Sequence, residues 1–203
     1  MQEIIEQFQQ TSLIEWGGTI TGLIAVVLSI REKVLAWPLF IVCYALYALL
    51  SYQASLPAAM LLNLLFIPIS VYGWIQWSQS SANAKTDQTI NEGTIRSCTL
   101  MEMLILGIVT LVLAITLGAI NQMWVKGTLP YLDAFATVVS FAAQWMLSRK
   151  MAENWIAWII ADLAFAILWG IQGYWIAVIM FSVFIVLATS GWISWKKESR
   201  NNV

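Results

Sequence analysis

LLNLLFIPISVYGWIQW, residues 61–77, and IMFSVFIVLATSGWISW, residues 179–195, are two versions of one segment 118 positions apart. Sliding the chain by that interval places Phe66 on Phe184, Gly73-Trp74-Ile75 on Gly191-Trp192-Ile193 and Trp77 on Trp195 without a gap. The same shift sets Arg31 on Arg149, Trp37 on Trp155, Glu15 on Asp133 and Thr19 on Thr137. Matches in separate segments at one offset mark a duplicated unit, here 13–77 repeated within 129–195.

Each copy holds three long apolar stretches, predicted at 13–30, 34–52 and 56–77, then at 129–147, 154–171 and 174–195, with a seventh at 99–120 between the copies. A helix needs about 20 mostly apolar residues to cross a bilayer, and each stretch qualifies within the precision of its ends. Two directly joined three-helix units would face opposite ways. The extra helix reverses the chain, so the expected fold is an all-α membrane protein of seven transmembrane helices in a 3+1+3 plan with parallel repeats. Transporters use that plan, with a substrate site near the midplane where the repeats meet. A duplicated bundle with a purely structural role is the alternative. Pro68 falls inside the third stretch and is expected to kink it, whereas Pro38, Pro57 and Pro130 stand near helix starts.

Composition agrees. Of 203 residues, 60% are hydrophobic and only 10% charged, against about 25% charged in ordinary soluble domains; mean hydropathy is +0.77. A net charge of −1 offers no basic surface for nucleic acid. Histidine is absent and Cys43 and Cys98 stand far apart, so no zinc-type metal site, Ser-His-Asp triad or Cys-His pair is expected, and no cofactor. The acidic, Gln-rich start, 1–12, does not resemble a cleavable signal, and no processing is expected. Residues 78–98 lack aromatics and read as a solvated linker, and 196–203 as a short tail.

Basic residues orient the helices. With the N-terminal segment outside, Arg31, Lys33, Lys85, Arg96, Arg149, Lys150, Lys196, Lys197 and Arg200 fall on the cytoplasmic side and only Lys126 outside. Linker and tail are then cytoplasmic, and 1–12 extracytoplasmic. Trp37, Trp74, Trp77, Trp155, Trp192 and Trp195 lie near inner helix ends, where an aromatic belt is expected.

Polar residues inside the stretches mark the candidate site. In the fifth, Asp133, Thr137, Ser140 and Gln144 are spaced by four, three and four residues and share one face. Such a face must look into the bundle or a wet cavity, because a charge in hydrocarbon costs at least about 2.5 kcal/mol. Interhelical hydrogen bonding, worth about 0.6 kcal/mol per contact, is the competing reading for Thr137 and Ser140. In the sixth, Asn154, Trp158 and Asp162 recur every four residues with Trp155 beside them. Asp162 falls near the bilayer centre; it is either a partner for a cationic aromatic ring, held with the indoles by cation–π contact, or a protonated packing group. Asn63 and Trp74 share a face of the third stretch. Glu15 and Asp133, with Trp74 and Trp192, are candidate vestibule or gate residues, although the two carboxylates serve equally well as helix caps.

TITGLIAVVLSIREK (19–33), WPLFIVCYALY (37–47) with SVYGWIQW (70–77), and LDAFATVVSFAAQWMLSRKMAENWIAWIIAD (132–162) with TSGWISW (189–195) together resemble the PnuC family of bacterial vitamin transporters. The likeness covers nearly the whole chain outside the linker and termini, and its second half is the more specific. It implies a SWEET-like 3+1+3 fold in the inner (cytoplasmic) membrane and facilitated diffusion without ATP or an ion gradient. It also implies trapping of the substrate by a cytoplasmic vitamin kinase. Nicotinamide riboside is the name-giving substrate, and relatives carry thiamine, riboflavin or deoxynucleosides. One departure touches the ligand: where many relatives have Tyr-Ala-Asp and then Gln, this chain has Leu56-Pro57-Ala58-Ala59 and then Asn63.

The expected substrate-binding set is therefore Asn63, Thr137, Ser140, Gln144, Asn154, Trp155, Trp158 and Asp162. The expected partners are a small vitamin with a cationic aromatic ring and the lipid bilayer, with homo-oligomerisation left open. Nicotinamide riboside leads and thiamine is the alternative. A receptor or assembly protein that binds without moving its ligand is the alternative from another class, a SWEET-type sugar transporter has topology but not motifs in its favour, and an enzyme is not expected.

Overall fold

A computed structural model describes residues 6–8, 11–86, 94–125 and 128–201. Seven long helices follow one another: α1 (Leu13–Ile30), α2 (Ala36–Gln53), α3 (Pro57–Thr86), α4 (Leu100–Ile120), α5 (Pro130–Ser148), α6 (Asn154–Ile171) and α7 (Trp175–Asn201). A π-helical turn, Asn121–Val125, extends α4. Among the described residues there is no strand, only a single bridge between Arg96 and Met151.

Local chemistry sets several starts. The Ser12 hydroxyl accepts from the Glu15 N–H at 3.1 Å and begins α1. Thr99 and Glu102 form a reciprocal capping box at α4, and Pro130 opens α5, where its missing N–H costs nothing. Six helices carry stretches long and apolar enough to cross a bilayer by length and composition: all but α5. The chain is a multi-pass membrane protein. α5 misses that standard because polar side chains run along it, yet it is deeply buried, with Thr137, Ser140 and Gln144 at 6%, 4% and 0% exposure.

Packing runs α1 on α2, α2 on α3, α3 on α5, α5 on α6, α6 on α7 and α7 on α1, which closes a ring of six helices. α4 packs on α5 from outside the ring. Its Leu104, Ile108, Leu111 and Ile115 are exposed apolar residues of the kind that faces lipid.

Two expectations are corrected. The third and seventh helices run past Trp77 and Trp195 to Thr86 and Asn201, so the linker and tail both begin as helix. Linker residues 87–93, like residues 1–5, Lys126 and residues 202–203, lie outside the described residues. Nor is the linker's far end solvated: Ile95 and Cys98 are buried. The Arg96 N–H donates to the Lys150 carbonyl at 3.1 Å, and the Ala152 N–H to the Arg96 carbonyl at 2.8 Å. The Cys98 N–H donates to Glu153 Oε2 at 2.7 Å. Burial, with Glu153 alongside, pushes the Cys98 thiol up to about 12.

The inner tryptophans are the second correction. Trp37, Trp77, Trp155 and Trp195 are 0–1% exposed and form the bundle's main core, not an interfacial belt. Trp37 and Trp77 meet edge to face at 5.3 Å, and Trp155 and Trp195 likewise at 5.4 Å. Gly73 and Gly191 make room: a Cβ on either would run into the indole of Trp37 or Trp155. An indole at a helix end suits an interface or a core equally well; these two glycine notches decide for the core. Of the six, Trp74 is exposed and Trp192 half-buried against this core.

Candidate functional site

The six ring helices enclose a cavity of about 740 Å³, within the span of small-molecule sites, about 300–1,000 Å³. All six contribute lining residues, and α4 contributes none among the described residues. Glu15 and Asp133 lie where α1 and α5 begin; Ser29 and Leu147 lie where those helices end, beside the tryptophan core.

Three carboxylates line the cavity, Glu15, Asp133 and Asp162, and no lysine or arginine does so among the described residues. Its titratable lining is therefore acidic, with no basic side chain opposite it among the described residues. Asp162 is 5% exposed and has neither hydrogen bond nor ion pair to a described residue. Asp133 has one distant donor, Asn121 Nδ2 at 3.5 Å.

Aromatic rings supply much of the remaining wall. On one side Phe40 lies near-parallel to Tyr44 at 6.1 Å, Tyr44 stacks on Phe66 at 4.8 Å, and Phe66 on Phe141 at 4.1 Å. Across the ring, α6 brings Trp155, Trp158 and Trp169, with Phe165 stacked on Phe181 of α7 at 5.2 Å. Between the walls, the Thr19 and Tyr47 hydroxyls share a hydrogen bond of 2.9 Å. Asn63 spends its amide N–H on the Ala59 carbonyl at 2.9 Å, and Ser140 donates to the Ala136 carbonyl at 2.8 Å. Carboxylates between flat aromatic faces suit a flat cation: the charge finds a counter-ion and the ring finds stacking partners.

Of the residues expected at the site, Asn63, Thr137, Ser140, Trp155, Trp158 and Asp162 line the cavity, as do Glu15 and Asp133. Gln144 and Asn154 do not. Gln144 is fully buried and donates to Ser70 Oγ at 3.3 Å, tying α5 to α3. Asn154 donates to the Met151 carbonyl at 2.7 Å in the turn before α6. Each keeps a side-chain oxygen with no hydrogen-bond donor. Trp74 is 43% exposed on the outer surface of α3, and Trp192 lies under the Lys196 ammonium at 5.2 Å; neither lines the cavity among the described residues.

Of the first-repeat half of the site, sequence reasoning named Glu15 and Asn63 but missed the aromatic wall, Phe40, Tyr44, Tyr47 and Phe66. The signal was available. Moving the candidates back by 118 positions carries Trp158 to Phe40 and Asp162 to Tyr44, but neither position stands out by charge.

The family model described as nicotinamide mononucleotide transporter matches residues 12–197, nearly the whole chain. The chain belongs to this family. Among similar family members, the nicotinamide riboside transporter PnuC of Escherichia coli strain K12 is 24% identical over 208 aligned positions, covering 93% of this chain and 87% of the relative. The PnuC of Neisseria mucosa is 25% identical, covering 97% and 77% respectively. Among solved structures, the crystal structure of the vitamin B3 transporter PnuC matches with a TM-score of 0.70. That match spans all of this chain and 90% of the other at 22% identity. It is a likeness of fold. The family resemblance read from the motifs is thus confirmed, and the relatives are named as transporters.

Proposed function

We propose that the chain is a seven-span facilitator that lets a vitamin precursor with a cationic aromatic ring, foremost nicotinamide riboside, diffuse down its gradient into the cell. One observation carries this reading: a cavity enclosed by six helices, walled by aromatic rings and three carboxylates, with no lysine or arginine lining it among the described residues. A pyridinium ring fits those walls. A phosphate does not, because anionic oxygens would meet carboxylates without a compensating cation. The cavity therefore favours the nucleoside for which the relatives are named over the mononucleotide for which the family is named.

The same chemistry explains one-way uptake. A cytoplasmic kinase that phosphorylates the nucleoside gives it negative charge, and the acidic cavity then rejects the product. No ion gradient or ATP at the transporter is required. Of the polar residues in the cavity, Asp162 would pair with the ring cation, Trp158 and Trp155 would stack, and Thr137, Ser140 and Asn63 would meet hydroxyl groups. Gln144 and Asn154 hold the helices behind them.

A 3+1+3 repeat supports alternating access by rocking of two bundles. Lining residues pair at the repeat interval: Thr19 with Thr137, Phe40 with Trp158, Tyr44 with Asp162, Ala59 with Ala177 and Phe66 with Phe184. Backbone details pair too. Glu32 and Lys150 both hold φ of +51°, and Ser55 and Gly173 hold +57° and +81°. The basic-residue count supports an orientation with the N-terminal segment outside and the tail in the cytoplasm.

Thiamine offers the same pairing of cation and flat ring, and calorimetry on detergent-purified protein separates the candidates. Saturable binding of nicotinamide riboside, with thiamine weaker and nicotinamide mononucleotide not bound, is expected. Tighter binding of thiamine would move the assignment to that vitamin, and binding of the mononucleotide would remove the electrostatic argument.

A further inference from the structure

The cavity is closed, at the end away from Glu15 and Asp133, by residues that the 118-position shift maps onto one another. Glu32 meets Lys150 with Oε2 and Nζ 2.7 Å apart, and these two residues are repeat counterparts. Trp77 faces Trp195 at 6.1 Å between ring centroids, and they too are counterparts. A residue can touch its own counterpart only across the axis that relates two copies, so both contacts straddle the line where the halves meet.

The two layers are joined. The Lys150 ammonium lies 5.0 Å from the Trp77 ring centre, so one cation serves both the ion pair and the indole. Trp155 belongs to the tryptophan cluster and also lines the cavity, which puts the cluster directly at the cavity floor with Ser29 and Leu147. Charge pattern distinguishes the two ends. Glu32 and Lys150 attract across the axis, whereas Glu15 and Asp133, also counterparts, are both carboxylates and form no ion pair with each other. One end of the cavity is thus held by an ion pair between the copies and the other is not.

We propose that the Glu32–Lys150 pair and the Trp77–Trp195 contact form the inner gate of the transporter, shut in this structure, and that they must part for substrate to leave toward the cytoplasm. The proposal rests on the transport reading and adds to it the residues that control release. Rigid-body rocking fits it, because contacts between counterparts are the ones that break when two halves tilt about their common axis. The Lys150 side of the gate is braced by the linker, since the bridge through Arg96 holds the Lys150 backbone. Motion therefore falls mainly to the Glu32 side.

The test uses a thiol reporter, Ser29→Cys, at the cavity floor in a Cys43→Ala, Cys98→Ala background, in inside-out vesicles treated with a membrane-impermeant thiol reagent. In the parent background the reporter is expected to label slowly. Glu32→Lys sets two ammonium groups against each other with Glu198 beside them as a counter-charge, and with Glu198→Gln in the same chain it should raise the labelling rate by about tenfold, as a minor open population grows. Reciprocal exchange, Glu32→Lys with Lys150→Glu, should bring the rate back. Lys150→Met removes the attraction, leaves the Glu32 and Glu198 carboxylates side by side without their shared cation, and should act in the same direction if Glu32→Lys cannot be purified. Unchanged labelling in the variants that break the pair, or no recovery in the exchange, overturns the gate. Nicotinamide riboside flux through the parent protein is measured separately. Its absence with the labelling pattern intact would defeat the transport reading alone, and its presence with flat labelling would defeat the gate alone.

Discussion

Asp162 follows Trp155 and Trp158 at intervals of seven and four, so one face of α6 carries two indoles and a carboxylate into the cavity. Near-complete burial without a partner among the described residues is costly for its charged form unless something else supplies a counter-charge. Asp162→Asn keeps the shape and removes the charge, so affinity for nicotinamide riboside should fall about 10- to 100-fold, the range of one charge-assisted contact. Titration calorimetry reads this directly, and unchanged affinity would remove Asp162 from the site. The candidate list was legible on α5 and α6 because a carboxylate or a polar stripe in an apolar helix has few places to go. It failed at Gln144 and Asn154, where polarity serves helix packing. It was silent at Phe40 and Tyr44, since aromatic residues in an apolar helix look alike whether they face lipid, core or ligand.

At the scale of elements, two repeat-related devices can be tested by stability. Trp37 fills the notch of Gly73, and Trp155 that of Gly191. Gly73→Ala or Gly191→Ala drives a methyl into a fully buried indole and should cost about 1–3 kcal/mol, seen as a lower thermal midpoint in detergent. A midpoint unchanged within error would mean that the tryptophan cluster is looser than described. The turn after α2 gives the opposite sign. Ser55 holds φ of +57° where its counterpart is Gly173, so Ser55→Gly should relieve strain and, after glycine's entropy loss, gain about 0.5 kcal/mol. A lower midpoint would contradict that account. Helix bounds were legible where chemistry marks them: α1 and α6 run as expected, from the Ser12 cap and from the turn at Asn154. α3 and α7 were drawn too short because their polar ends remain helical beyond the apolar core, and apolarity alone does not report a helix continuing into water.

Across the whole molecule, α4 stays outside the ring and the other six long helices make the cavity, the division that the proposed 3+1+3 plan calls for. Much of that was readable from a single offset, since a match at 118 positions fixes which helices correspond. The order of helices around the ring was not, because α3 against α5 and α7 against α1 are contacts between copies that no periodicity within a copy encodes. An acidic, aromatic cavity with no lining cation among the described residues makes one demand of any substrate, that it bring positive charge and a flat ring. The central claim is therefore passive movement of nicotinamide riboside, and purified protein in liposomes tests it most directly. With labelled nicotinamide riboside outside and neither ATP nor an ion gradient present, the vesicles should fill until inside and outside concentrations are equal, while nicotinamide mononucleotide stays out. Filling no faster than in protein-free liposomes would contradict the account.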